Sequence, residues 1–400
     1  MNDKNNDASP LALSATRWTP ALRWLVLAAG TATLAGCAAF SWLPFVGGGT
    51  VEKPKPAELQ PSPGLLGVRQ AWTLRVGEVG FPMSVSVNGA VVTLGATDGT
   101  VSAIDSATGR ELWRASARAP LAAGVGSDGR MAAVVTRANE VVAFADGKEL
   151  WRQKLPALAY TAPLVAGGRV FVLAGDRSVT ALDGQSGSRL WAQQRPGEAL
   201  VLRQSGVILA VGDTLVVGQS GRLAGMSPAN GSVRWEAPIA TPRGINDVER
   251  LVDLVGRVSR VENSVCARAF QAAVGCVDAT RGTTVWSQRS NGAEGVHGDA
   301  THVFGTESDG KVMAWRRDSG ERAWSTDKLA WRGLSAPLLL GRSVVVGDSF
   351  GFVHMLSRED GSLLTRLATD GSPIAAAPVL AGNTLVVVTR NGNVYGFIPQ

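Results

Sequence analysis

One amino acid sets the frame for this chain. Tryptophan recurs at positions 113, 151, 191, 235, 286 and 324, at intervals of 38, 40, 44, 51 and 38 residues. Each Trp closes the same kind of unit: a β-rich run, a turn with Gly or Asn, a second β-rich run, a Gly-containing turn, and a last run ending at the Trp. Residues 97–113, 178–191 and 310–324 are clear copies. A repeat of this length made of four short strands cannot bury its faces alone. Stacked radially it forms a propeller blade. Asp98-Gly99, Asp309-Gly310 and Asn391-Gly392 lie between β-rich runs and predict two-residue type I′ hairpins. Residues 351–365 carry Thr365 where the Trp would stand, and the last copy, from Gly392, stops after its third strand. At the other end, residues 70–76 hold an orphan Trp72 with no inner strands before it. The simplest count is an all-β, eight-bladed propeller over residues 64–400, its ring closed by the N-terminal strand, which removes an exposed edge.

The remaining composition narrows the function. The chain has 48 Gly among 400 residues without a three-residue period, which fits many tight turns and excludes collagen. A net charge of +6 with no Lys/Arg run gives no footprint for nucleic acid. Near the N-terminus, Arg17 and Arg23 precede an apolar run from Trp24 to Ala35, too short to span a bilayer comfortably. It ends in Leu34-Ala35-Gly36-Cys37, which resembles a bacterial lipobox. That resemblance implies a signal peptide over 1–36, acylation of Cys37, and, with Ala38 rather than Asp next, an outer-membrane destination. Several acyl chains on one Cys give durable anchoring. Residues 37–63 read as a Pro/Gly-rich tether.

Candidate chemistry is sparse. The repeat's tryptophan motif resembles that of quinoprotein-type (PQQ) propellers, so a quinone-dependent dehydrogenase is the first rival reading and a ligand-binding propeller the second. Such enzymes place a Ca²⁺-held quinone on the axis and commonly carry adjacent cysteines. This chain has no Cys-Cys pair, and no cluster of acids is evident that would supply six to eight oxygens. No cofactor, metal site or catalysis is expected. Glu294, His297, Asp299 and His302 lie close in sequence, but the two His are five apart, matching neither a helix face nor a strand face. They read as a polar loop. Cys266 and Cys276 share one hairpin of the fifth blade. A two-residue turn at Gln271-Ala272 would point their sulfurs to opposite faces, whereas a bulge would bring them together; the sequence leaves a disulfide open.

Two loops stand out. The connection after Trp235 is longer than its counterparts, and in it Ile245, Val248, Leu251, Val252 and Val255 recur at helical spacing. The connection after Trp191 carries Glu198-Ala199-Leu200-Val201-Leu202-Arg203. Both join an outer strand to the next inner strand, so they belong side by side on one rim. Neighbouring apolar and charged loops make a protein-binding patch.

Lipobox, tether, eight blades and these loops together resemble the BamB family, propeller lipoproteins of the outer-membrane β-barrel assembly (BAM) machinery. Arg250-Leu251-Val252-Asp253, Leu200-Val201-Leu202-Arg203 and the stretch from Val346 to His354 carry the likeness. It implies a non-catalytic scaffold that faces the periplasm, binds the POTRA domains of BamA, and assists insertion of barrel proteins, with unfolded clients as a further class of partner. Residue by residue it implies partner contacts at Leu200, Leu202, Arg203 and Asp253. The family's second acid, two positions on, is Val255 here, which implies a more apolar contact.

Overall fold

The computed structural model describes residues 54–195, 200–243, 245–246 and 250–400. Cys37 and residues 1–36, the expected signal peptide, lie outside them. The described chain forms eight antiparallel sheets of four strands each. Blades 1–7 follow chain order, from Ser86–Asn88 as the first inner strand to Leu363–Ala368 as the seventh outer strand. Blade 8 takes three strands from the C-terminus, ending in Asn393–Pro399, and its outer strand, Val68–Arg75, from the N-terminus. The closing register runs from Val68 opposite Pro399 to Arg75 opposite Asn393, with a bulge between Gln70 and Trp72. The second and third strands of each blade are the most buried, rich in Val and Ala: Val92, Ala103, Val134, Val142, Val344 and Val353 have no exposed surface. Short β-branched and small residues suit strands packed on both faces.

The tryptophans are pegs between blades. The Trp191 indole N–H donates to the Pro228 carbonyl (3.0 Å), Trp286 to Arg317 (2.7 Å) and Trp324 to Arg358 (2.8 Å), each in the turn before the next blade's outer strand. Each ring also covers a glycine in such a turn. Gly282, at φ 67°, has Trp235 so close that an added Cβ would sit 2.3 Å from it. Trp72 is no orphan: it is blade 8's peg, donating to Ser106 of blade 1 at 2.8 Å over Gly109. This also explains Thr365. Blade 8 has no turn between its third and outer strands, because the two chain ends meet there, Gln400 N–H on Gly67 C=O at 2.9 Å. With no turn to cover, blade 7 has no use for a peg.

Three sequence expectations change. The hairpin turns at Asp98, Asp309 and Asn391 are not two-residue I′ turns. Each is a type I turn followed by a positive-φ glycine: Gly99 N–H donates to Ala96 C=O while Ala96 N–H takes Thr100 C=O, with matching pairs around Gly310 and Gly392. The Asp side chain selects this form by accepting the amide two residues on, as Asp98 does from Thr100 at 2.9 Å. Second, the folded body does not begin at residue 64. Residues 55–400 form one compact unit, and the chain is already bonded to blades 6 and 7 at Ala57. Third, the apolar residues of the long loop form no helix. Ile245 is 99% exposed whereas Val252 and Val255 are buried, and Leu254–Val261 is blade 5's inner strand.

Candidate partner-docking rim

In a blade, the turn between strands two and three and the link from an outer strand to the next inner strand open on the same face of the ring. Leu200–Arg203 is the link from blade 3 to blade 4, and Asp253 ends the link from blade 4 to blade 5. The structure brings them together through one carboxylate. Asp253 Oδ2 accepts the Leu202 amide (3.1 Å), and Oδ1 pairs with Arg177 Nη1 (3.1 Å). Arg177 in turn donates from Nη2 to Leu200 C=O (3.2 Å). The Asp253 carbonyl accepts the Phe270 amide of blade 5 (3.0 Å). Acid, arginine and loop backbone thus form one closed unit spanning three blades.

What this unit presents is selective. Leu200 is 39% exposed, Leu202 is half-buried, and Arg203 is exposed with its guanidinium 5.7 Å from the centre of the Tyr160 ring. Asp253 itself is turned inward, its side chain 17% exposed. Val255 is 1% exposed and closes the wall of a small cavity of about 50 Å³ beneath Leu202 and Asp253. The expectation that Val255 gives the partner a more apolar contact is therefore corrected: its side chain faces the core of the propeller. Glu198 and Ala199, and residues 247–249 of the neighbouring link, lie outside the described residues.

Sequence reasoning missed Arg177 and Tyr160. A signal for Arg177 exists in the repeat. In blade 3 it occupies the positive-φ turn position (65°) that is Gly99, Asn139, Gly310 or Gly392 elsewhere. A bulky residue there pays conformational strain, and the guanidinium's bonds to Asp253 and Leu200 offset it.

Other sequence candidates resolve differently. His297 and His302 do not converge: His297 Nδ1 accepts the Leu339 amide (2.9 Å), while His302 Nδ1 meets Thr301 Oγ1 (3.0 Å). Among the described residues, no three His, Cys, Asp or Glu side chains are grouped to hold a metal. The segment is also not a loop, since Val296–Gly298 is blade 6's inner strand. In blade 5 the hairpin turn has three residues, Phe270 to Ala272, with Gln271 at φ 47°. The extra residue shifts the register by one from the two-residue case. Cys266 then faces Cys276 with Cα atoms 3.9 Å apart, and the two are joined as a disulfide.

The inner strands enclose a central channel of about 940 Å³. Most of its wall is apolar or small; its charged residues are Arg257 and Glu294 at blades 5 and 6 and Arg390 at blade 8. Arg257 reaches across to the Pro378 carbonyl beside blade 8 (2.7 Å), and burial lowers its pKa to about 10. Burial likewise raises Glu294 to about 7, against the pull of Arg268. Burial and the charges of Arg257 and Arg317 lower His297 to about 3, so it is neutral at physiological pH.

A ring of eight blades, seven of them pegged by tryptophan, with a built rim on one face, places the chain among the quinoprotein-like propellers. The family model described as outer membrane protein assembly factor BamB matches residues 97–326. BamB of Burkholderia pseudomallei is 41% identical over 84% of this chain and 89% of its own length. BamB of Bordetella pertussis is 38% identical over 93% and 96%. The chain belongs to the BamB family. Among solved structures, BamB from Moraxella catarrhalis superposes with a TM-score of 0.76 at 23% identity, covering 83% of this chain and 99% of that one. The quinohemoprotein alcohol dehydrogenase of Comamonas testosteroni reaches 0.65 at 14% identity, over 84% and 78%, a likeness of fold alone.

Proposed function

We propose that this protein is a non-catalytic scaffold of outer-membrane protein assembly, anchored through acylated Cys37 in the outer membrane and facing the periplasm, that docks the POTRA domains of BamA on the rim formed by Leu200, Leu202 and Arg203. Family membership supports the assembly role. The observation that carries the docking site is the Asp253 carboxylate, which ties both loops into one surface. Its role is positioning. The contact groups are the half-exposed leucines and the Arg203 guanidinium, an apolar anchor with a flanking cation, which is common hot-spot composition. A pre-ordered loop loses less entropy on docking.

The test is capture of BamA POTRA domains by the Leu202→Ala/Arg203→Ala double variant. Affinity is expected to fall about tenfold or more, with the melting temperature close to wild type. Unchanged capture by this variant, with loss on substituting residues of the opposite face, would place the docking site elsewhere.

A further inference from the structure

The outer strand of blade 8 begins at Val68 on the face opposite the rim. Left there, the N-terminal segment would depart from that opposite face. It does not. Residues 57–66 run back along the outer edge of blade 7 to the rim face. Leu65 N–H donates to Leu364 C=O at the start of blade 7's outer strand (2.8 Å), and Arg342 Nη2 donates to Leu65 C=O (3.3 Å). Midway, Ser62 Oγ accepts the Arg366 amide (3.1 Å) and Gln60 C=O accepts Arg366 Nη2 (2.9 Å). Leu59 packs on the core between blades 6 and 7. At the rim face, Ala57 N–H meets Ala330 C=O (2.8 Å), and Ala57 C=O takes Arg332 Nη1 (3.1 Å).

Three arginines of blade 7 thus grip main-chain carbonyls of one passing segment. Two of them are set by a single buried acid. Asp348 Oδ2 accepts Arg332 Nε (2.7 Å) and meets His354 Nε2 (3.0 Å), while its Oδ1 accepts the Phe350 and Phe352 amides, both at 2.9 Å. Arg366 Nε lies 3.4 Å from His354 Nδ1, so the His carries its proton on Nε2 and donates to Asp348. This is the stretch from Val346 to His354, to which the docking rim gives no role.

We infer that residues 57–66 are a strap that carries the chain's exit from the opposite face to the rim face, so that membrane attachment and partner docking share one side of the ring. The inference rests on the reading of Cys37 as acylated. Sixteen residues separate Cys37 from Pro54. Releasing the strap would add about ten more, roughly 35 Å of extended reach, and move the exit to the far face.

The strap-side variant Ala57→Pro/Leu59→Ser removes one donor and one anchor without touching the propeller, and Arg366→Ala tests the grip from the other side. In the full mature chain with Cys37→Ala, hydrogen exchange of the Leu65 amide, which donates to Leu364 C=O, is expected to speed up about tenfold or more in both variants. Peptides from blades 1–5 should stay unchanged. Wild-type exchange already at the unprotected rate would overturn the strap. For the acylated protein on phosphatidylethanolamine/phosphatidylglycerol vesicles doped with an acceptor lipid, a dye is placed at Asn391→Cys on the rim face or Asn383→Cys on the opposite face, exposed positions beyond the two ends of blade 8's strand Thr384–Val388. Stronger energy transfer from 391 than from 383 is expected, with the ratio falling towards one in the strap variants. Equal or reversed transfer in the wild-type strap would overturn the shared side. Protein remaining in the supernatant would instead refute acylation at Cys37, and the exchange result would stand alone.

Discussion

The rim and the strap are held by the same device in two states of enclosure. In each, an Asp carboxylate accepts an Arg and backbone N–H, one amide at Asp253 and two at Asp348, and that Arg donates to a carbonyl of a segment passing overhead. Asp253 with Arg177 holds Leu200 and Leu202; Asp348 with Arg332 holds Ala57. The difference is burial. The Asp348 side chain is fully enclosed and has His354 as a further partner, whereas Asp253 is 17% exposed beside a small cavity. Burial makes an ion pair costly to break, because the surviving partner is left uncompensated. A half-open pair in water-reachable surroundings is cheaper to rearrange. The strap device therefore suits permanence, whereas the rim device orders its loop at a lower cost of rearrangement.

Breaking the enclosed pair should give the largest effect. Asp348→Ala strands Arg332 and His354 in a buried site, and a loss on the order of 3–5 kcal/mol is expected in denaturant titrations. A midpoint shift no larger than that of Asp253→Ala would erase the contrast. At the rim, Asp253→Lys should cost less stability than Asp348→Ala yet abolish POTRA capture, since it repels Arg177 and frees the Leu202 amide. Asp253→Asn, which keeps an acceptor for that amide, should retain part of the capture. Normal capture by the lysine variant would show that the loop needs no carboxylate.

Truncations separate tether from strap. Deleting residues 38–54 should leave the melting curve unchanged. Extending the deletion to 60 removes Leu59 packing and the Ala57 and Gln60 bonds, for an expected loss of about 1–2 kcal/mol. Superimposable curves would return these residues to the tether.

The smallest effect lies in the channel, which neither device reaches. Glu294 has a folded-state pKa of about 7, above its ordinary value of 4.5. Its contribution is fully present below that ordinary value and is lost as pH rises through about 7. Glu294→Gln should therefore gain stability relative to wild type on going from pH 5 to pH 8. His297 and His354, whose folded pKa values are lowered, cost stability as pH falls below about 6.5, and this substitution leaves them in place. A pH-independent difference between the two proteins would mean that Glu294 is ionised across the range.

The sequence showed the periodic parts of this molecule and hid the aperiodic ones. Blade number, ring closure and the adjacency of the two rim loops follow from tryptophan spacing and chain order, because strand pairing within a blade is local. What it left open or misplaced depends on one-residue details. The Cys266–Cys276 register turns on whether a hairpin loop has two residues or three. Val255 belongs to a loop by spacing and to the core by one strand's alternation. Residues 55–63 look like a tether because Pro suppresses regular structure. Yet Arg332, Arg342 and Arg366 bind carbonyls, which every residue possesses, so no side-chain pattern marks the segment they hold.

The closing strand has a consequence in time. Val68 and its partner Pro399 lie nearly the whole chain apart, so the strand that emerges first must wait for the one that emerges last. Blades 1–7 can form from neighbouring hairpins as the chain arrives, whereas the final pairing is as non-local as this chain allows. Until it forms, the ring carries an unpaired edge open to wrong partners. The blade it completes also meets blade 7 at the one junction with Thr365 in place of an indole. Folding should therefore finish there, and unfolding should begin there, like a bracelet parting at its clasp.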